Sequence, residues 1–455
     1  MRALYRPEGA YGRNRSTGGG AIAVERGSAP ADGESVAQGA GAEIRPALRA
    51  AFEGLDRAGI AWCLLRGEDR LAEPVDDVDV LVAPADGTRV GPALRPLGWA
   101  AWPAWGRGSH RFYIAYDATE DRWLKLDVVT ELSFGPAQAL RTRAAEACLE
   151  RRRPRGPLTL LSVEDAFWAL LLHCLLDRAT VRPGAAARLR QLAEAAVGEG
   201  PLARWIAAAL PPGIELVTVV EHVRAADWPT LRALGRRIRA RWTRGHPLEV
   251  GRRTAAALVL RRLTRLLVPL RRRGLTVALL GPDGAGKSSL AAGLEATFFV
   301  PVRRFYLGLY PTAAPGGPAP RRGLARRILR LWRAYLAASY QRARGRLVVY
   351  DRYTYDALLP VPRPLGRLAR LRRWLLAHAL PAPDATILLD APAEMLHRRS
   401  GEQDVARLER QRRAYLGLRG VVPRLEVVDA SRSGDEVRRT VTTVVWRRFA
   451  ARLAR

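Results

Sequence analysis

From Glu43 the apolar positions recur at helical spacing to about Arg57, after which shorter apolar runs take over. Those runs predict strands at Ile60–Leu65 and Val78–Val82, a helix around Thr88–Leu97, and strands near Arg111–Tyr116 and Trp123–Val129. Residues 43–155 therefore read as a small α+β domain. The pattern then turns mainly helical over 156–272, as in Ser162-Val-Glu-Asp-Ala-Phe-Trp-Ala-Leu-Leu, where Ser162 is placed to cap a helix and Asp165 is the acid three residues on. This helical spacer closes with the basic amphipathic stretch Arg252–Arg273, broken by Pro269 and Gly274. Beyond it, strands at Leu275–Leu280, Arg304–Leu307, Leu347–Tyr350, Ala385–Leu389 and Leu425–Val428 alternate with helical segments. That alternation predicts an α/β fold with a parallel, doubly wound sheet over 273–455. Residues 1–42 carry no sustained apolar period and read as a flexible tail.

At 455 residues the chain has room for two to four domains, which excludes a single small binding module. No apolar run reaches the roughly 18 residues of a membrane-spanning helix, and the N-terminus lacks a signal peptide's apolar stretch, so a cytoplasmic protein is expected. Cys63, Cys148 and Cys174 are too few and too widely spaced for a disulfide framework or a zinc site, and read as buried thiols. His110, His173, His222, His246, His378 and His397 show no metal-ligand spacing. Trp102 and Trp105 read as core residues, because no basic residues interleave with them as on a base-stacking surface.

The net charge of +31 changes the picture less than its size suggests. Of 75 basic residues, only Lys125 and Lys287 are lysine, and the arginines are spread along the whole chain. Arginine is thus the generic cation here, and no specific nucleic-acid partner is expected. A membrane-surface contact through Arg252–Arg273 and Arg321–Arg346 is an alternative use of the charge, and a homodimer is an open possibility. The skew singles out the two lysines, since a compact ammonium and a planar guanidinium are not interchangeable in a tight site.

One of them lies in Gly281-Pro282-Asp283-Gly284-Ala285-Gly286-Lys287-Ser288, a full G-x-x-x-x-G-K-[ST] loop between an apolar strand and a helix expected at Ser289–Thr297. Glycines let backbone N–H groups wrap a phosphate at a helix N-terminus, Lys287 reaches the β- and γ-oxygens, and Ser288 offers a hydroxyl to Mg²⁺. Asp351 and Arg352 follow a second apolar strand, where open α/β sheets bind ligand. Asp351 is placed either to hold the Mg²⁺ shell or to accept the acceptor's proton.

These residues, with Leu388-Leu-Asp390-Ala-Pro392 and Val427-Val-Asp429-Ala-Ser431, resemble the thymidylate kinase family of P-loop nucleoside monophosphate kinases over about 273–455. The resemblance implies ATP and Mg²⁺ as cofactors, nucleotide contacts from Gly281 through Ser289, an acceptor-phosphate contact at Arg352, and an adenine-lining loop at Asp429–Ser431. It implies lid arginines at Arg398 and Arg399, or in the run Arg407, Arg410, Arg412 and Arg413. Two departures stand out: Leu280 where the family usually has Glu, and Phe305–Pro311 where it usually has Thr-Arg-Glu-Pro-Gly-Gly. Pro315-Gly316-Gly317 reads as a turn instead of a remnant of that segment. The acceptor is left open among a nucleotide other than thymidylate, a sugar and a sugar phosphate.

A second constellation comprises Arg66-Gly67, Asp76-Asp77-Val78-Asp79 and Lys125-Leu126-Asp127. Two-metal nucleotidyl transfer needs carboxylates on one face of neighbouring strands. Strand alternation would put Asp77 and Asp79 on one face, with Asp127 joining as a third metal ligand and Lys125 countering nucleotide phosphate. The pattern resembles the nucleotidyltransferase superfamily over about 43–135, although Glu68 follows Gly67 where that superfamily has Ser. The expected protein is a kinase fused to a nucleotidyltransferase-like domain, with a second nucleotidyl-transfer activity open. A regulatory protein that binds nucleotide without turnover is the alternative.

Overall fold

The computed structural model describes residues 44–74, 77–196, 198–271, 274–308, 323–361, 364–401 and 403–453. The tail, Asp76, Arg321 and Pro315-Gly316-Gly317 lie outside them. Two large sheets organise the rest. The N-terminal sheet has seven strands in the order β3-β4-β5-β2-β1-β9-β8, formed by β1 (Trp62–Leu64), β2 (Val78–Val82), β3 (Ala100–Trp102), β4 (Arg111–Asp117), β5 (Arg122–Val129), β8 (Arg153–Arg155) and β9 (Leu158–Leu160). A separate ribbon pairs β6 (Ser133–Phe134) with β7 (Leu140–Arg141). The C-terminal sheet has the order β11-β12-β10-β13-β14, built from β10 (Thr276–Leu280), β11 (Val302–Tyr306), β12 (Leu347–Asp351), β13 (Ala385–Asp390) and β14 (Leu425–Asp429). All its pairings are parallel. Its central strand, Thr-Val-Ala-Leu-Leu, is buried along its whole length, as a parallel strand covered by helices on both faces requires.

Side-chain alternation divides the N-terminal sheet between two cores. Trp62, Leu64, Val80 and Val82 pack with the helix Pro46–Arg57, whereas Cys63 and Leu81 point the other way into a core made with the helices of 163–238. The helical region is therefore the second face of this domain. Ser162 caps the helix Val163–Leu172 by accepting a hydrogen bond from the Asp165 backbone N–H. The hairpin β8–β9 falls partly in residues read as helical, because Leu160 pairs in parallel with Leu64 of β1 and carries the sheet past residue 155. Its outermost strand, Arg-Pro-Arg, is fully exposed and lacks the apolar alternation that marks a strand in sequence. Among the described residues no helix is long and apolar enough to cross a membrane.

An aromatic seam joins the two sheets. Trp123 of β5 meets Phe298 and Trp446 edge-on at ring-centroid distances of 5.2 and 5.0 Å, and Trp102 meets Phe299 at 4.9 Å. The Trp123 Nε1–H donates to the Thr297 carbonyl at 2.9 Å, at the end of the helix Lys287–Thr297. The Trp446 Nε1–H, on the C-terminal helix Gly434–Leu453, donates to Gly98 at 3.1 Å. Beside them Arg438 forks onto both carboxylate oxygens of Asp121, and the Tyr116 hydroxyl donates to the same carboxylate at 2.6 Å. Trp102 thus belongs to a seam between units, not to the interior of one.

Trp446 is 4% exposed, so truncating it removes a large apolar area and strands the Gly98 carbonyl. We expect Trp446→Ala to cost about 3–5 kcal/mol and to loosen the coupling between the sheets, so that urea unfolding followed by tryptophan fluorescence broadens or splits. An unchanged midpoint with a single sharp transition would contradict this account of the seam.

Candidate active site

The C-terminal site grows from the end of β10. Gly281 follows it with φ of 144°, and a Cβ there would lie 2.7 Å from the Leu389 carbonyl of β13, so only glycine lets the loop turn under that strand. Gly284, at φ 82°, would bring a Cβ to 2.5 Å from the Leu396 carbonyl. The helix begins at Lys287 itself, two residues before the expected Ser289, with Gly286 in the left-handed conformation at its N-cap. Ala285 packs into the core below, while Ser289 is exposed on the first helical turn.

Lys287 is 7% exposed and curls back over the loop, donating to the carbonyls of Gly281 at 2.9 Å and Pro282 at 2.7 Å. Burial lowers its pKa from 10.5 to about 8; nearby Arg352 adds to the fall, and Asp283 and Asp351 oppose it. The Ser288 hydroxyl donates to the Asp351 carboxylate at 2.8 Å. This contact follows from strand register, because Leu279 of β10 pairs with Asp351 of β12. A hydroxyl and a carboxylate oxygen side by side at the loop mouth are hard donors that suit Mg²⁺.

Arg352, one residue beyond β12, has φ of 67°. The left-handed region costs a non-glycine residue roughly 1–2 kcal/mol, and the Arg352 backbone N–H, donating to the Leu279 carbonyl at 3.2 Å, ties this turn to β10. Its guanidinium donates to Asp283 of the loop and lies 3.8 Å from Asp356. Burial disfavours the charge, but Asp283 and then Asp356 outweigh that and keep Arg352 protonated above its ordinary range. Gln403 donates to the other Asp283 oxygen at 3.1 Å, and the buried Tyr415 hydroxyl donates to Asp356 at 3.0 Å. Asp356, Gln403 and Tyr415 belong to no motif: Asp356 lies four residues beyond Arg352 on a short turn, and Gln403 and Tyr415 come from a loop and a helix about 50 to 60 residues later.

The other arginines divide by partner. Arg399 donates to the Ala430 carbonyl at 2.8 Å, beside the loop proposed for adenine, whereas Arg398 is exposed on the same helical turn. Arg407 and Arg410 are exposed as well. Arg412 is engaged by both oxygens of Asp390 at 2.7 and 3.0 Å, and Arg413 by Glu409. Asp429 is exposed and accepts from the backbone and hydroxyl of Ser431, and those hydrogen bonds hold its carboxyl below the usual range.

In the N-terminal sheet Asp79 and Asp127 are direct cross-strand partners of β2 and β5. Burial raises the Asp79 carboxyl; Arg66, donating at 2.7 Å, pulls it down, and Asp127 adds to the rise. His110 lies 2.9 Å from Asp127. Lys125 pairs with Asp77 and sits 4.4 Å above the Phe112 ring. Asp77, just before β2, pairs with Lys125, which shares a face of β5 with Asp127, the cross-strand partner of Asp79; the expected joint Mg²⁺ site of Asp77, Asp79 and Asp127 is not present as a ligand cluster among the described residues. Each of the three acids has its own cationic or histidine partner, and among the described residues no group of three His, Cys, Asp or Glu side chains is arranged to hold a metal ion.

No family-wide sequence profile matches the chain. Individual proteins do. A thymidylate kinase of Xanthomonas oryzae pv. oryzae is 30% identical over 214 residues, covering 42% of this chain and 90% of that protein. A thymidylate kinase of Leifsonia xyli subsp. xyli is 35% identical over 206 residues, covering 37% of this chain and 93% of the relative. A third, from Bordetella petrii, is 33% identical over 195 residues, covering 36% and 92%. A solved thymidylate kinase from Candida albicans aligns with 38% of this chain and 90% of its own at 20% identity, with a TM-score of 0.28.

The lowered pKa of Lys287 fixes a sign. Between pH 8 and 10.5 the unfolded chain binds more protons at this residue than the folded one, so its contribution to stability rises with pH in that window, and the full cost is present below it. We expect Lys287→Met to stabilise the nucleotide-free protein near pH 7, by at most a few kcal/mol, with the difference shrinking toward pH 10. Melting temperatures of both proteins across that range test this, and a gap that is constant or grows with pH would refute it.

Proposed function

We propose that this chain, which belongs to the thymidylate kinase family through about two fifths of its length, transfers a phosphoryl group from ATP to a nucleoside monophosphate or a related acceptor. A nucleotide kinase is what the relatives support. The observation that carries the assignment to this site is the buried Lys287 over the loop carbonyls, with Ser288 and Asp351 2.8 Å apart at its mouth. Backbone N–H groups of 281–289 surround the nucleotide's phosphates, and Lys287 leaves the Gly281 and Pro282 carbonyls for the β- and γ-oxygens. Ser288 and Asp351 would hold Mg²⁺, which when bound neutralises charge on the triphosphate. Arg352 binds the acceptor's phosphate, and Arg398 and Arg399 close over the transferring group. The adenine lies against Asp429–Ser431. Catalysis in such a site is positioning and charge neutralisation.

The acceptor differs from thymidylate in this reading, because Leu280 and Phe305–Pro311 stand where the family usually carries its Glu and its Thr-Arg-Glu-Pro-Gly-Gly segment. For the N-terminal unit we propose a nucleotidyltransferase-like module that binds a phosphate-bearing ligand through Lys125. The pairing of Asp79, Asp127 and Asp77 with separate partners favours binding over metal-assisted turnover there. Lys125 leaves Asp77 for that ligand.

ADP release measured against nucleoside monophosphates, sugars and sugar phosphates tests the kinase reading. We expect turnover with a phosphorylated acceptor, and Lys287→Ala should lower kcat by on the order of 10²–10³ while the protein stays folded. Nucleotide binding with no turnover on any acceptor would favour a regulatory protein instead. For the N-terminal unit, a nucleoside triphosphate should raise the melting temperature of Lys287→Ala, with or without Mg²⁺. Adding Lys125→Ala should reduce that shift. A shift that needs Mg²⁺ and disappears in Asp77→Asn/Asp79→Asn would reinstate the metal site.

A further inference from the structure

Arg352 stands between two carboxylates of different character. Asp283 lies on the phosphate loop with a third of its side chain exposed, at 33%. Asp356 lies on the short turn Thr354–Leu358 behind the strand end, 13% exposed, and receives the hydroxyl of Tyr415, itself 4% exposed. Tyr415 is fixed in turn near the end of the helix Val405–Leu416. A guanidinium presents several N–H donors in one plane, and a carboxylate on one edge leaves the other edge free to grip a phosphate. An incoming phosphate reaches Arg352 from the open, Asp283 side, where the two anions compete for the same donors. The buried side cannot be vacated in this way. Asp356 is largely buried and is tied to Tyr415.

We propose that Asp356, oriented by Tyr415, is a positioning residue that aims Arg352 at the acceptor's phosphate; this rests on the reading of Arg352 as the acceptor-phosphate contact. Asp356 itself touches no reacting atom. It acts by facing the guanidinium with its charge from the buried side, 3.8 Å away, so that the cation meets the phosphate without first being ordered. Arginine serves here where an ammonium would not, because only a planar fork is gripped on one edge while binding on the other.

The test uses the full chain with the common nucleoside 5′-monophosphates and their nucleosides, thymidine among them, as probes measured by calorimetry, and steady-state kinetics with the best monophosphate found among the acceptors. Asp356→Asn keeps the shape and the acceptor oxygen for Tyr415 while removing the charge. It should weaken monophosphate binding and raise the acceptor KM about tenfold or more, leaving nucleoside binding and the ATP KM within about threefold. Tyr415→Phe should move the same quantities in the same direction by less. In an Arg352→Gln background, Asp356→Asn should have no further effect on monophosphate binding, since the two act through one contact. If Arg352→Gln weakens monophosphate binding but Asp356→Asn and Tyr415→Phe shift only the melting temperature, the positioning role is overturned and the acceptor site stands. If the wild type binds no nucleoside monophosphate better than its nucleoside, or Arg352→Gln changes the binding of none of them, the acceptor-site reading itself falls.

Discussion

The pairing of β10 with β12 is the constraint on which the C-terminal site depends. Parallel strands sharing a register end at the same level, so the residue after one strand and the residue ending the next face each other across a fixed gap. With Leu279 opposite Asp351, that geometry delivers Ser288, Asp351 and Arg352 to one mouth. The fully buried sequence of β10 and the helices covering both its faces keep the register from slipping. The loop glycines answer the same constraint from above. Two of them pass so close to the carbonyls of Leu389 and Leu396 that any side chain would lift the loop off the strand ends.

The seam between the sheets extends this order to the rest of the chain. Successive residues of β5 point to opposite faces, so Leu124, Leu126 and Val128 fill the N-terminal core while Trp123, Lys125 and Asp127 share the other face. Trp123 ends that row against the phosphate-loop helix, and Lys125 and Asp127 end it in the polar cluster with Asp77 and His110. One strand thus carries the N-terminal polar cluster at one end and meets the far end of the phosphate-loop helix at the other. Its attachment combines apolar contact with a forked Arg438–Asp121 pair, which adds direction to a surface that aromatic packing alone would leave free to slide.

What the sequence discloses depends on how local each feature is. The phosphate-loop motif is eight contiguous residues and so can be read from their order alone, and Gly281 to Ser288 form a strand-to-helix turn with Lys287 folded over the loop carbonyls. The parallel strands were legible for the same reason, since a strand buried on both faces is a plain apolar run. Asp356, Gln403 and Tyr415 were not, because only the folded chain brings a turn, a loop and a helix end around one guanidinium. The hairpin β8–β9 escaped because Arg-Pro-Arg at a sheet edge carries the polar signature of a loop.

The scarcity of lysine has a practical side. Apart from the chain's N-terminal amine, only Lys287 and Lys125 carry a primary amine, one sealed over the phosphate loop and the other about a third exposed at 32%. Acylating reagents act on the neutral amine, and burial brings Lys287 toward that form at mildly alkaline pH, while its cover of loop carbonyls restricts approach. The two sites therefore differ in both protonation and access. Mass spectrometry after brief amine labelling can follow each of them separately in a protein of 455 residues, without the crowd of surface lysines that ordinarily hides such a signal.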